Sequence, residues 1–227
     1  MCGRFALDRK TTDLVTLFDV DIEGDRLPEP SSNIAPTQRI AVVIDSLPRG
    51  EEFPEPVRRL ESARWGLVPG WAASPTQSAP LFNARVETVQ QKPSFEKAFA
   101  HRRAVIPASG YYEWETRADG TVAQFIHAPG HELLLFAGLY EWWKNTEAPE
   151  GSPERWLLSA TILTCPSTGG LAELHERMPV FLDADLVETW LDPVEEGTEE
   201  LLDQLVAGAA EVADRVLIEP RSPVGAE

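Results

Sequence analysis

Apolar residues come in short runs along this chain, and the period inside each run predicts an element. "TTDLVTLFDV" reads as a short amphipathic helix and "RIAVVI" as a buried strand. The stretch 45–56, rich in Pro, Gly and Glu, reads as a loop. "VRRLESARWGLVPGW" reads as two strand runs that end at a Pro-Gly turn. "SFEKAFAHR" predicts a helix capped by Ser94. "RAVIPASGYYEWE", "AQFIHA", "LLLFAGLYEWW" and "RWLLSATILT" are β-rich segments set apart by Gly, Pro and Asn. "DADLVETWL" and "GTEELLDQLVAGAAEVADRV" read as helices, the second with an acidic exposed face. Many strands interrupted by single helices predict an α+β fold. Its core is a mostly antiparallel, barrel-like sheet flanked by short helices. With no repeat and no long linker, residues 1–227 read as one domain, and 191–227 as an acidic helix and tail.

Composition narrows the setting. The chain has 227 residues and is 43% hydrophobic, enough for a substantial core. No apolar run approaches the ~18 residues of a membrane span, and no basic-then-apolar leader opens the chain. Cys2 and Cys165 are the only cysteines. They make neither a disulfide framework nor a metal knuckle, so the expected setting is a reducing cytoplasm, without metal or cofactor. A net charge of −17 argues against generic nucleic-acid binding. The charge is uneven, since residues 185–227 hold 12 acids against 2 arginines. Arginine outnumbers lysine 16 to 4. A salt-rich cytoplasm and a GC-rich genome with an acidic tail both fit that balance.

The chain opens "MCGRF", which puts a cysteine where ends usually fray. If Met1 is removed, Cys2 carries an α-amine and a thiol two carbons apart, a pair no internal cysteine has. Three other places set polar groups among apolar or turn-forming neighbours: "LFNARVET", "IPASGYYEWE" and "LHERMPVFL". Singly, each has a plain reading. Asn83 is a turn residue, Glu113 a solvated strand residue opposite Tyr112 and Trp114, and His175 a surface histidine. Arg85 and Arg177 are surface ion pairs, and Cys165 is an apolar filler. Together they form an inventory for covalent catalysis with anion recognition.

The segments "MCGRFAL", "NIAPTQ", "WGLVPGW", "NARVET", "RRAVIPASGYYEW", "FAGLYEWW", "TILT" and "HERMPVFL" run in order over residues 1–191. In them the chain resembles the SRAP family (SOS-response-associated peptidase domain), the abasic-site processing proteins. That resemblance implies one α+β domain with a barrel-like core and a groove for single-stranded DNA. It implies that Cys2, freed of Met1, crosslinks to abasic sites as a thiazolidine. Carried over, the active residues fall on Cys2, Asn83, Glu113 and His175. The DNA contacts fall on Arg4, Asn33, Trp71, Arg85 and Arg177, with Pro36 nearby. The partner implied is single-stranded DNA holding an abasic site, bound by a monomer with no membrane association. Two features depart from the pattern. Ala72 follows Trp71 where some relatives carry a second aromatic. The C-terminal "VLIEPRSPVGAE", from which the strand closing the barrel would come, is shorter and less typical.

Other readings stand beside this one. Glutamine amidotransferases also begin Met-Cys-Gly, so an N-terminal-nucleophile amidohydrolase is the runner-up. The family's name suggests a peptidase. A DNA-binding module without chemistry is the fourth reading.

Overall fold

The computed structural model describes residues 2–48, 50, 55–76, 79–118 and 120–224. In chain order the first half gives β1 (Phe5–Leu7), α1 (Thr11–Leu17), β2 (Ile22–Glu23), β3 (Ser31–Ile34), β4 (Arg39–Ser46), β5 (Val57–Trp65), β6 (Asn83–Arg85) and α2 (Glu96–His101). The second half gives β7 (Arg103–Ala108), β8 (Gly110–Arg117), β9 (Gly120–His127), β10 (Leu134–Lys144), β11 (Trp156–Pro166), α3 (Leu171–Leu174), β12 (Arg177–Pro179), α4 (Val187–Leu191), α5 (Glu199–Ala213) and β13 (Leu217–Pro220). No described helix is long and apolar enough to cross a membrane.

The α+β reading holds, and the barrel is real. Strands β11, β10, β7, β4 and β5 pair in that order, and β5 returns to β11. Direction cannot alternate all the way round an odd ring, so one seam must be parallel. That seam is β5–β11, held at Ser159↔Arg64 and Ala160↔Trp65, while the other four pairings are antiparallel. The register puts Ile44, Ala104, Gly138 and Ile162 in one inward row. Side chains fill the lumen, as expected for so small a barrel. Val42, Ile44, Trp65, Phe136 and Ile162 are at most 1% exposed. "RIAVVI" is apolar at every position after Arg39 because β4 is covered on both faces.

A second sheet, ordered β13-β9-β8-β1-β3, caps one end of the barrel. Phe5 on β1 is the plug, edge-on to Trp65 at 5.0 Å and to Phe136 at 6.1 Å between ring centroids. Gly110 lets β8 pass close to β9, because a Cβ there would meet the Ile126 carbonyl oxygen at 2.6 Å and run into the Phe125 ring.

Three local expectations change. The cap position of α2 is Phe95, with no side-chain cap bond, so Ser94 does not cap it. In "WGLVPGW" Trp65 ends β5 and the rest holds only an isolated bridge, Leu67↔Leu81, because the chain leaves the barrel wall at Gly66. The final strand does not close the barrel; β13 pairs with β9 at the edge of the capping sheet. Of the predicted loop, residues 45–46 belong to β4, and residues 49 and 51–54 lie outside the described residues.

One buried cation ties the helices to the barrel. Arg103, 2% exposed, starts β7 and faces outward. It donates to the carbonyls of Trp190 (2.7 Å), Phe99 (3.2 Å), Ala100 (2.6 Å), Asp192 and Glu195 (2.9 Å). These oxygens come from the last turn of α2, the end of α4 and the loop beyond, where carbonyls lack helical partners. Arg103→Ala strands them and is expected to cost about 3 kcal/mol. Arg103→Lys should recover little, since an ammonium cannot fan out over five acceptors. The urea midpoint of each variant measures this.

Candidate active site

The site forms where β1 meets β8. The register Phe5↔Tyr111 and the Tyr112 N–H bond to the Arg4 carbonyl (2.9 Å) set Gly3 and Cys2 beside Glu113. Cys2 is fully buried, although it is the second residue of the chain. Asn83, first residue of β6, donates from its amide Nδ2 to the Cys2 carbonyl at 2.9 Å. A carbonyl only accepts, so this bond fixes which way the amide faces. The Asn83 Oδ1 is then left buried without a partner, available to a donor at Cys2 or on a ligand.

Glu113 is 6% exposed, and Trp114 beside it is 42% exposed. Glu113 points inward, so it is not the solvated strand residue of the plain reading. Tyr112, on the opposite face, is buried too, in a small cluster with Ala6 and Phe125. Burial pushes the Glu113 carboxyl up, and His175 close by opposes the shift. Burial also pushes the Cys2 thiol well up, and the Glu113 carboxylate adds to it. Glu113 thus lies within reach of both the Cys2 thiol and the His175 imidazole. His175 follows α3, half-buried, and its Nδ1 accepts the Arg177 backbone N–H at 2.9 Å. A neutral His175 therefore carries its proton on Nε2.

The residues expected to meet DNA divide. Arg4 donates from Nη1 to Asn33 Oδ1 at 2.9 Å, and both are half-buried. Pro36 begins the turn after β3, where Thr37 adopts a left-handed φ of 78°. Trp71 is 67% exposed on a loop anchored by the Trp143 Nε1 bond to the Ala72 carbonyl (2.6 Å). Arg85 is exposed at the end of β6. Arg177 differs from all of these. It is 8% exposed, and its guanidinium lies on Glu87 and Thr164. Cys165 is buried, as a filler would be, and burial pushes its thiol to about 11.

The individual readings missed Tyr111 and Glu87. Tyr111 floors the site at 1% exposed, and its hydroxyl is pushed well up by burial and by the nearby Cys2 and Glu113. A cavity of about 800 Å³, lined by Arg9, Leu14, Phe18, Arg58 and Leu133 among others, holds none of the candidate residues. No group of three or more His, Cys, Asp or Glu gathers at metal-binding range among the described residues.

This constellation has a family. A profile described as SOS response associated peptidase (SRAP) matches residues 1–218. The chain belongs to the SRAP family. Among curated SRAP relatives, abasic site processing protein YoqW of Bacillus subtilis is 38% identical over 198 residues, covering 85% of this chain and 81% of its own. Abasic site processing protein YedK of Escherichia coli is 30% identical over 195 residues, covering 84% and 79%. A solved structure from Bacteroides thetaiotaomicron superposes with a TM-score of 0.76 at 18% identity, over 97% of this chain and 92% of that one. That last likeness shows the fold alone.

Proposed function

We propose that this protein recognises abasic sites in single-stranded DNA and couples to them covalently through Cys2 once Met1 is gone. The observation that carries the proposal is the setting of Cys2: an amide bonded to its carbonyl, a buried carboxyl whose charge reaches its thiol, and beyond that carboxyl an oriented imidazole. The printed names of its curated relatives, abasic site processing proteins, point to the same lesion.

An abasic deoxyribose is in equilibrium with an open-chain aldehyde. The Cys2 amine adds to that carbonyl, water leaves, and an imine forms. The thiol then adds to the imine carbon, and its proton passes to nitrogen, closing a thiazolidine. The amine attacks first, because the thiol closes the ring only onto an imine carbon. A free α-amine titrates near ~7.7–8.0, so part of it is neutral there. Ring closure within one residue has an effective molarity on the order of 10⁵ M or more. Glu113 moves the protons of the amine and carbinolamine. His175, with Nε2–H as donor, serves the sugar oxygen during opening. Asn83 holds Cys2 in place through its carbonyl.

Arg4, Asn33 and Arg85 contact the flanking phosphates, and Trp71 stacks on a base. The missing base removes the stacking that would oppose entry. A local strip of this kind suffices despite the net charge of −17. The covalent bond holds the complex where salt would weaken phosphate contacts. Arg85→Ala is expected to flatten the salt dependence of binding by about one counterion. Anisotropy titrations at three salt concentrations read that slope. A peptidase reading is carried by the family's name and by no separate residue of the site.

The deciding experiment is intact mass of the Met1-free protein after incubation with uracil-glycosylase-treated single-stranded DNA. The expected result is a mass increase of protein plus DNA minus one water, surviving heat. The same lesion inside a continuous duplex should react far more slowly. No adduct, or ammonia released from glutamine instead, would overturn the proposal.

A further inference from the structure

The mechanism above leaves one ion pair unused, between the buried Arg177 and the exposed Glu87. We propose that Glu87 is a positioning residue: through Arg177 it fixes where His175 stands relative to Asn83 and Cys2, and which imidazole nitrogen carries the proton. This rests on the function proposed above.

The argument starts from β11. Thr164 pairs with Arg85 of β6 and with Pro179 of β12. A strand residue has one ladder partner on each side, so β6 and β12 flank β11 on opposite sides. Asn83 therefore hangs on one side of β11 and His175 on the other. Nothing in the ladder itself sets the distance between two segments that are each so short.

The Arg177 side chain supplies that link. It leaves β12, crosses Thr164 and reaches the turn that follows β6. Its Nη2 donates to the Thr164 carbonyl (2.5 Å) and lies 3.3 Å from Oγ1. Nη1 and Nη2 then grip the two Glu87 oxygens at 2.5 and 3.0 Å. Such a bidentate fork is rigid. Glu87 sits in the turn Val86–Thr88, four residues after Asn83, and Arg177 two residues after His175. One ion pair thus ties the two halves of the site across a strand.

The same arginine orients the imidazole, since its backbone N–H donates to His175 Nδ1. Holding Arg177 still holds that donor still, and keeps Nε2–H toward the sugar. The arginine is the buried half of the pair: its side chain is 9% exposed and that of Glu87 44%, so the weight of the contact lies on keeping the guanidinium compensated. Removing the carboxylate leaves a buried guanidinium without its counter-charge. Glu87 is held below the usual carboxylate range by its bond to Arg177, so the pair stays charged at neutral pH.

The test compares wild type, Glu87→Gln and Glu87→Asp. Long-range proton–nitrogen NMR of the DNA-free protein reads the His175 tautomer, with His175→Gln assigning the signal. Affinity for single-stranded DNA carrying a tetrahydrofuran abasic analogue, which cannot react, is measured beside the rate of adduct formation on a true abasic site. Wild type is expected to show the Nε2–H form. Glu87→Gln should mix the tautomers and slow the adduct about tenfold or more, with affinity for the analogue changed less than about twofold. Glu87→Asp, which keeps the charge, should restore most of both; if Glu87→Gln does not fold, Glu87→Asp shows a smaller loss of the same kind. An unchanged tautomer and rate in the variants would overturn the proposal. So would tighter analogue binding at an unchanged rate, which would mean that Glu87 merely withholds Arg177 from a phosphate. Failure of wild type to form any adduct would sink the functional reading alone, and the tautomer measurement would still decide the positioning role.

Discussion

A protein that keeps Met1, or carries an uncleaved tag ahead of it, is expected to form no heat-stable adduct with abasic DNA. Its Cys2 nitrogen is an amide and cannot make an imine. Its thiol is intact, but burial holds it protonated, and a thiol alone adds to an aldehyde reversibly. Cys2→Ala is the complementary case. It keeps a free amine after Met1 removal, since alanine is also small, so borohydride should still trap an imine. Strand cleavage by β-elimination should then rise, because nothing closes the ring. The stable adduct should fall below detection, as the neighbouring thiol that supplied an effective molarity of about 10⁵ M is gone. The checks are denaturing gels with and without borohydride, and intact mass. Heat-stable adduct from a tagged, uncleaved chain would leave ordinary thiol chemistry as the role of Cys2.

How much of this was legible in the sequence depends on the range of each interaction. Strand runs such as "RIAVVI" and "LLLFAGLYEWW" declare themselves because each is buried along its own length. Barrel closure is a different matter. It rests on a two-residue parallel seam between β5 and β11, nearly a hundred residues apart in the chain, and no local pattern encodes it. The resemblance implies that the C-terminal stretch closes the barrel, yet the pairing partner of β13 is β9. Ser94 looked like a cap because the residue type is right, but the helix begins one residue too late for it to serve.

The site shows the same division. The quoted motifs point to Cys2, Asn83, Glu113 and His175; in the structure Asn83 bonds the Cys2 carbonyl, and Glu113 lies near both Cys2 and His175. Strand alternation misplaced Glu113, because it assumes that one face of β8 meets water. Here the face of Tyr112 is covered as well, and the carboxyl faces the site. Arg177 shows the limit of reading charge from sequence. The family resemblance makes the arginine of "HERMP" a DNA contact, and the fold adds that Glu87, ninety residues earlier, pairs with it.

Glu113→Gln is expected to slow adduct formation by about 10²–10⁴-fold, the usual contribution of a positioned acid or base. Binding to the unreactive tetrahydrofuran analogue should change little, because the side chain faces Cys2 and not the phosphates. Stability should move the opposite way to activity. The folded state raises the Glu113 carboxyl above its unfolded value, chiefly by burial. A raised acid contributes stability that is fully present below the unfolded pKa and is lost as pH rises through the folded one. At neutral pH the buried carboxylate is therefore a cost, which the neutral amide of Gln removes. The variant should melt at or above wild type at pH 7, and the difference should shrink as pH falls below the ordinary carboxylate range. Thermal melts at pH 4 and pH 7, run beside the adduct assay, separate the two effects. Equal losses of melting temperature, analogue affinity and rate would assign Glu113 to structure. A slow, tightly binding and more stable variant is the result that a catalytic carboxyl, buried at some expense for its chemistry, should give.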